Sequence, residues 1–311
     1  MRSKPSRREW LAGAAVGVAA GVARGGPPEP KPGPEFKYAL NTATIMGQEL
    51  SLAKEIEVAA KAGYDGIEPW LSKLDKHVKD GGSLEDIGKQ ARDLGLAIPD
   101  VIGFIEWIVD DEGRRKKGME EAKRAMDVVQ RVGGLRLAAP PVGATDKGGL
   151  SLTKVAERYR ALLELGDTVG VVPVAEVWGF SKTLGRLSEA AFVAIETGHR
   201  KACVLADVFH LYKGGSGYDG IRLLSAAALP IIHVNDYPAD PPREKITDAQ
   251  RVYPGDGVAP LKTFFRDLKG LAFQGYLSLE VFNRGYWKQD ALVVARTGLE
   301  KMRMAVRAGL G

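Results

Sequence analysis

The sequence predicts a single (β/α)8 barrel of the α/β class spanning residues 35–311. Three observations predict it. Short β-type runs alternate with helical patterns along the chain, eight such runs can be counted, and several helical patterns stop at a glycine. A repeating β-then-α order implies a parallel sheet. Eight units at this length suit a closed barrel, which needs roughly 250 residues. A doubly wound sheet satisfies the alternation too, but no G-x-G-x-x-G follows the first strand, so its dinucleotide-binding version loses its main support.

In chain order, the first strand is FKYALN at 36–41, followed by the helical pattern LAKEIEVAAK at 52–61, which stops at Gly63. GIEP at 66–69 and AIPDVIG at 97–103 are the next two strands, with Gly95 before the latter. A helix over 116–132 stops at Gly133 and leads into LRLAA at 135–139. A helix over 152–165 stops at Gly166, and VVPVAEV follows at 171–177. A helix over 189–197 stops at Gly198 before ACVLA at 202–206. A helix over 221–228 precedes PIIHV at 230–234, and one over 261–268 stops at Gly270 before YLSLEV at 276–281. A helix over 291–308 closes the series. Glycine just past a periodic segment is the usual helix C-terminus.

Residues 1–34 read differently. Ser6-Arg7-Arg8-Glu9-Trp10-Leu11 precedes an apolar Ala/Gly-rich run over 11–23, too short to span a bilayer but suited to a signal h-region. Paired arginines with an aromatic and a leucine behind them resemble a twin-arginine export signal, with Trp in place of the usual Phe. PPEPKPGP at 27–34 is a stiff linker. The expectation is an exported chain, periplasmic or extracellular, with no stable membrane span. Net charge is +5, spread along the chain, which points to solubility rather than nucleic-acid binding. The densest basic run, Arg114-Arg115-Lys116-Lys117, opens a helical pattern and reads as a solvated face. The one cysteine, Cys203, lies in an apolar strand as a small buried hydrophobe.

In a barrel, chemistry sits where strands end. Four successive strands end in ligand-type residues: Glu176, Asp207, His233 and Glu280. Adjacent strands lie about 4.8 Å apart, so the four can converge on one point. Three carboxylates meeting there repel one another unless a cation joins them. Carboxylates with one imidazole suit a single divalent ion, Mn²⁺ first and Zn²⁺, Co²⁺ or Mg²⁺ after it. The competing interpretation is a structural polar network.

These residues resemble the xylose isomerase-like barrels, a family of sugar isomerases and epimerases, and among them the inosose (2-keto-myo-inositol) isomerases. IIHVNDYPADPPREKITDAQRVYPGDGVAPL at 231–261 and GYLSLEVFNRGYWKQD at 275–290 carry the likeness, together with the Asp207-x-x-His210 pair. The resemblance implies that Glu176, Asp207, His233 and Glu280 hold the metal. It also implies that Glu176 and Glu280 form the acid–base pair and that His210 contacts a substrate oxygen. Lys182 and Ala239 stand where some epimerases of free ketoses carry a substrate-binding carboxylate and arginine. The implied substrate is therefore an inosose-like or other cyclic ketone.

The residues support that chemistry independently. A metal polarises a ketone and its neighbouring hydroxyl, one glutamate takes the proton between them to give an enediolate, and the other returns a proton. His210 can donate to the substrate or cap a helix. Glu68, ending its strand, can meet a substrate hydroxyl or form an ion pair. Arg251, in the long loop after His233, can anchor that loop over the substrate or bind a substrate oxygen. Trp70, Trp107, Trp178 and Trp287 lie near strand ends, where they can wall a sugar or simply pack. The expected function is a metal-dependent isomerase or epimerase of a small carbohydrate or cyclitol ketone, with a homo-oligomer left open. The alternatives are a lyase on the same scaffold, such as a 3-dehydroshikimate-type dehydratase or a 3-keto-glycoside β-eliminating enzyme, and an inactive sugar-binding barrel.

Overall fold

The computed structural model describes residues 36–146 and 148–311, so the leader and linker expected over 1–34 lie outside the described residues. Its strands are β1 (Lys37–Asn41), β2 (Gly66–Glu68), β3 (Arg136–Ala139), β4 (Val172–Glu176), β5 (Val204–Asp207), β6 (Ile231–Val234) and β7 (Tyr276–Leu279). All pair in parallel, in the order β2-β1-β7-β6-β5-β4-β3. The expected third strand fills the gap between β2 and β3 and closes the barrel, but only through isolated bridges: Ala97 to Gly66, Ile102 to Trp70 and Val101 to Leu137. Pro99 stands in its middle and has no N–H to give a continuous ladder.

The helices are α1 (Leu52–Ala62), α2 (Leu71–Lys79), α3 (Leu84–Asp93), α4 (Glu112–Val132), α5 (Leu152–Val169), α6 (Leu187–Glu196), α7 (Val208–Lys213), α8 (Leu261–Gly270) and α9 (Ala291–Leu310). Sequence patterning misses α2, whose only buried residues are Leu71 and Leu74, a stripe too narrow to register. The helix expected at 221–228 is instead two 3-10 turns, Tyr218–Leu223 and Ala226–Ala228. Gly166 does not stop its helix either; Gly170 does, with φ +85°. Gly166 is there because a Cβ would lie 2.3 Å from the Val171 carbonyl oxygen, where helix and strand press together. The run from Arg114 to Lys117 sits on the solvent side of α4 as expected.

The strand period of two builds the barrel interior in layers. Val174, Leu205 and Ile231 point inward in a cluster with Ile102, Ala138 and Cys203. Two residues further on, the same faces carry Glu176, Asp207 and His233. A dry apolar plug thus lies beneath a polar layer at the C-terminal rim. Burial among these groups pushes the Cys203 thiol up to about 12, so it packs as a hydrophobe. No helix among the described residues is long and apolar enough to cross a membrane.

The long segment after β6 is tied down at both ends. Lys213 of α7 donates to the carbonyls of Arg243, Glu244 and Ile246 at 2.9, 3.1 and 2.8 Å. Asp236 accepts from the backbone N–H groups of Gly255 and Ala259, each at 2.9 Å, and so folds the YPGDG turn back on itself. Asp236 and Val252 also exchange backbone hydrogen bonds at 3.0 and 2.9 Å, which delivers the neighbouring Arg251 to the rim.

Candidate metal centre

The centre is organised around His233, which is fully buried. Its Nε2 lies 3.0 Å from Glu68 Oε1. Glu68 holds its own place by accepting from Asn41 Nδ2 at 2.8 Å and Ser278 Oγ at 2.6 Å. Burial works against a charge on Glu68, but His233 and these donors hold its carboxyl below the usual range. A carboxylate at Nε2 places the proton there and turns the Nδ1 lone pair toward the opposite side.

On that side Nδ1 meets Glu280 Oε2 at 3.1 Å, Asp207 Oδ2 at 3.6 Å and Glu176 Oε1 at 3.8 Å, yet it has no hydrogen-bond partner of proper geometry. Ligand atoms of Asp207, His233 and Glu280 lie within 4.8 Å of one another, with Glu176 beside them. A buried imidazole nitrogen left without a partner among three carboxylates is rarely tolerated unless a cation satisfies it. Against the cost of burial, the carboxylates raise His233 well above the ordinary imidazole range, so the pocket demands positive charge at this point. Burial pushes Glu176 up to about 8, opposed by His233 and reinforced by the charges of Glu280 and Asp207. Asp207, His233 and Glu280, with Glu176 beside them, therefore have the chemistry to hold one divalent ion.

Asp207 does two jobs with its two oxygens. Oδ1 accepts from the His210 N–H at 2.8 Å and caps α7. Oδ2 faces the centre, where it accepts from Arg251 Nη1 at 2.7 Å and Asn235 Nδ2 at 3.1 Å. Burial alone would raise its carboxyl, but the Arg251 guanidinium holds it well below the usual carboxylate range. A carboxylate at the end of an apolar strand is affordable because it is paired.

Arg251 is buried and fully engaged. It bridges Asp207 and Glu280, at 2.7 and 3.0 Å from Nη1, and takes Asp248 Oδ1 at 2.5 Å from Nη2. Nη2 also lies 3.1 Å from His210 Nε2, so His210 accepts there and carries its proton on Nδ1, which has no partner. Burial lowers His210 below its ordinary range, consistent with a neutral ring. Arg251 thus orders the carboxylates, and both it and His210 line a cavity of about 260 Å³ above the centre.

At two places the geometry favours one of the alternatives that the sequence left open. Glu68 does not border that cavity: it lies behind His233 with both oxygens occupied by protein donors. Of the four tryptophans among the described residues, only Trp70 and Trp178 line the cavity. Trp107 is fully buried and donates to the Pro140 carbonyl at 2.9 Å, and Trp287 donates to the Ala43 carbonyl at 3.0 Å.

Residues that the sequence did not flag complete the site. Asn41, at the end of β1, donates to Glu68 and, at 3.1 Å, to Glu280 Oε1, joining the supporting layer to the carboxylates at the centre. Its position at a strand end was the available signal. Asn235 and Asp248 hold Asp207 and Arg251, and Phe104, Phe180 and Phe282 line the cavity. Asp100, from the bridging segment, is fully buried near Glu68, and burial raises its carboxyl well above the usual range.

The fold is a closed parallel barrel with a carboxylate–imidazole cluster at its C-terminal rim, the place where barrel enzymes carry their chemistry. Residues 56–304 match the xylose isomerase-like TIM barrel family, and the chain belongs to it. It is 26% identical over 270 residues to an inosose isomerase of Bacillus licheniformis, covering 85% of this chain and 96% of that one. It is 25% identical over 277 residues to a 3-dehydroshikimate dehydratase of Pseudomonas aeruginosa, covering 86% of this chain and 41% of that longer protein. Its fold superimposes on the crystal structure of a zinc-bound IolI protein with a TM-score of 0.80 at 22% identity, over 87% of this chain and 98% of that one.

Proposed function

We propose that the chain is a divalent-metal-dependent isomerase or epimerase acting on a polyhydroxy-ketone, inosose-like or a keto-sugar. The observation that carries this is His233, with Nε2 held by Glu68 and Nδ1 left without a partner among Glu176, Asp207 and Glu280. A bound dication would supply Lewis-acid polarisation of the ketone and its neighbouring hydroxyl.

The chain's own groups do the rest. Glu176 and Glu280 both line the cavity, so both can reach a substrate seated on its floor. One removes the proton from the carbon between ketone and hydroxyl, giving an enediolate. The other delivers a proton to the adjacent carbon or oxygen. His210 offers its free Nδ1–H to a substrate oxygen, while Arg251 keeps that tautomer in place by donating to Nε2. The aromatic side chains around the cavity keep bulk water away from the exchanging proton.

A second interpretation keeps the first proton transfer and ends in elimination. Similarity to the dehydratase favours it. In keeping with the twin-arginine pattern, we place the folded enzyme outside the cytoplasm, a location that cell fractionation of an Arg7→Lys, Arg8→Lys double variant would test.

The functional test has two parts. After dialysis the purified barrel should retain about one divalent ion per chain, and the Glu280→Gln variant should lose it. In D2O the loaded enzyme should wash deuterium into inosose or a 3-keto-glucoside, with product analysis separating isomer from elimination product. Absence of retained metal, with none regained from Mn²⁺, Co²⁺ or Zn²⁺, would end the proposal.

A further inference from the structure

The cavity above the centre is ringed by side chains that touch in sequence. Phe282 lies 6.1 Å from Trp70 between ring centroids, and Trp70 lies 4.9 Å from Phe104. Phe104 then lies 5.9 Å from Trp178, Trp178 5.2 Å from Phe180, and Phe180 5.4 Å from His210. Arg251 closes the circle, bonded to His210 and stacked 5.2 Å from the Phe282 centroid. Every member lines the same cavity. This is a collar, continuous around the path from solvent to the centre.

The phenylalanine and tryptophan members of the collar have little to offer a hydroxyl group. Trp70 spends its Nε1–H on Asn41 Oδ1 at 3.2 Å. Phenylalanine rings have no donor or acceptor to give. The polar groups of the cavity, Glu176, Glu280, His210, Asp248 and Arg251, belong to the centre and its immediate supports. At the same time Phe104 and Phe180 are each 46% exposed, large apolar surfaces left open around a cavity. Such surfaces usually await an apolar partner.

A ketone engaging the floor fills the polar end, and whatever it carries outward must pass between ring faces and edges. A second sugar there would strip water from its hydroxyls without replacing those hydrogen bonds, which is costly. A planar apolar group would stack on the collar at no such cost. We propose that the substrate is a keto-glycoside whose aglycone is planar and apolar, with its sugar ketone on the metal floor and its aglycone held by Trp70, Phe104, Trp178 and Phe180. This rests on the ketone chemistry proposed above and adds to it the identity of the group carried outward.

The test separates the two ideas by measuring binding and turnover independently. The Mn²⁺-loaded chain is titrated with phenyl and methyl β-D-3-keto-glucosides, and with the unoxidised phenyl and methyl β-D-glucosides, by calorimetry and tryptophan fluorescence. Deuterium wash-in is followed on the keto pair. The phenyl compound should bind about tenfold or more tightly than the methyl one. Phe104→Ala and Phe180→Ala should each shrink that ratio several-fold, and Glu176→Gln should preserve it. Phe104→Leu, with thermal melting as a folding control, keeps the test sound should an alanine variant unfold. A phenyl-to-methyl ratio near one, or a ratio untouched by the collar variants, overturns the inference. A phenyl preference without any deuterium exchange supports the collar and sinks the proposed reaction. Exchange without preference does the reverse.

Discussion

The two halves of the barrel use the same device for different ends. From β4 to β7, successive strand ends contribute Glu176, Asp207, His233 and Glu280, all facing one point. From β1 to the bridging segment, strand ends contribute Asn41, Glu68 and Asp100, and none of these borders the cavity. The second half supplies the donors. The first half supplies what orients them, through Glu68 to His233 and Asn41 to Glu280. Residue type at the rim is therefore not enough to assign a role: Glu68 and Glu176 both end strands in fully parallel registers, yet one faces the cavity and the other a histidine.

Breaking the donor half should have the largest effect. His233→Ala removes the one nitrogen around which the carboxylates converge, and the purified variant should retain no metal after dialysis, as read by elemental analysis. Glu176→Gln comes next. Asp207, His233 and Glu280 remain clustered without it, so the metal should stay while exchange falls by about 10²- to 10⁴-fold, the usual contribution of a general acid or base. Equal loss of metal in both variants would show that the ion depends on Glu176 as much as on His233 and would leave its role in proton transfer without support.

The supporting half should answer more mildly. Glu68→Gln keeps the shape but removes the charge at Nε2, and competitive chelator titration should show metal affinity weakened about 10- to 100-fold. An unchanged affinity would mean that His233 is held by packing alone.

The smallest effect tests stability rather than chemistry. Glu55 of α1 is buried without a hydrogen-bond donor, and Lys73 lies 2.7 Å away out of hydrogen-bonding alignment. Burial raises its carboxyl from the ordinary 4.5 to about 7, with Lys73 opposing. Between those values the folded chain keeps a proton that the unfolded chain has released, so stability falls as pH rises through the window. The gap sets a ceiling of about 3 kcal/mol, at 1.36 kcal/mol per pH unit. Glu55→Gln should flatten the stability–pH curve between pH 4.5 and 7 in denaturant titrations, and a curve that keeps its slope would assign the dependence to another group.

How much of this was legible beforehand follows the physics of each feature. The alternation of strand and helix, the parallel sheet and the donors at the ends of β4 to β7 are local, periodic properties, so the sequence alone determined them. A period of two, counted back from Asp207 or His233, already places Leu205 and Ile231 beneath them. What the sequence could not decide was anything that depends on which side chain arrives from a distant strand. Glu68 and His233 are separated by 165 positions, and Asn41 and Glu280 by 239. Only barrel closure brings them together, and only then does Glu68 meet His233. The collar is the same kind of feature: Trp70, Phe104, Trp178 and Phe282 come from separate loops, and no spacing along the chain records that they meet. Local periodicity chooses the layer in which a residue lies, and tertiary packing chooses its partner.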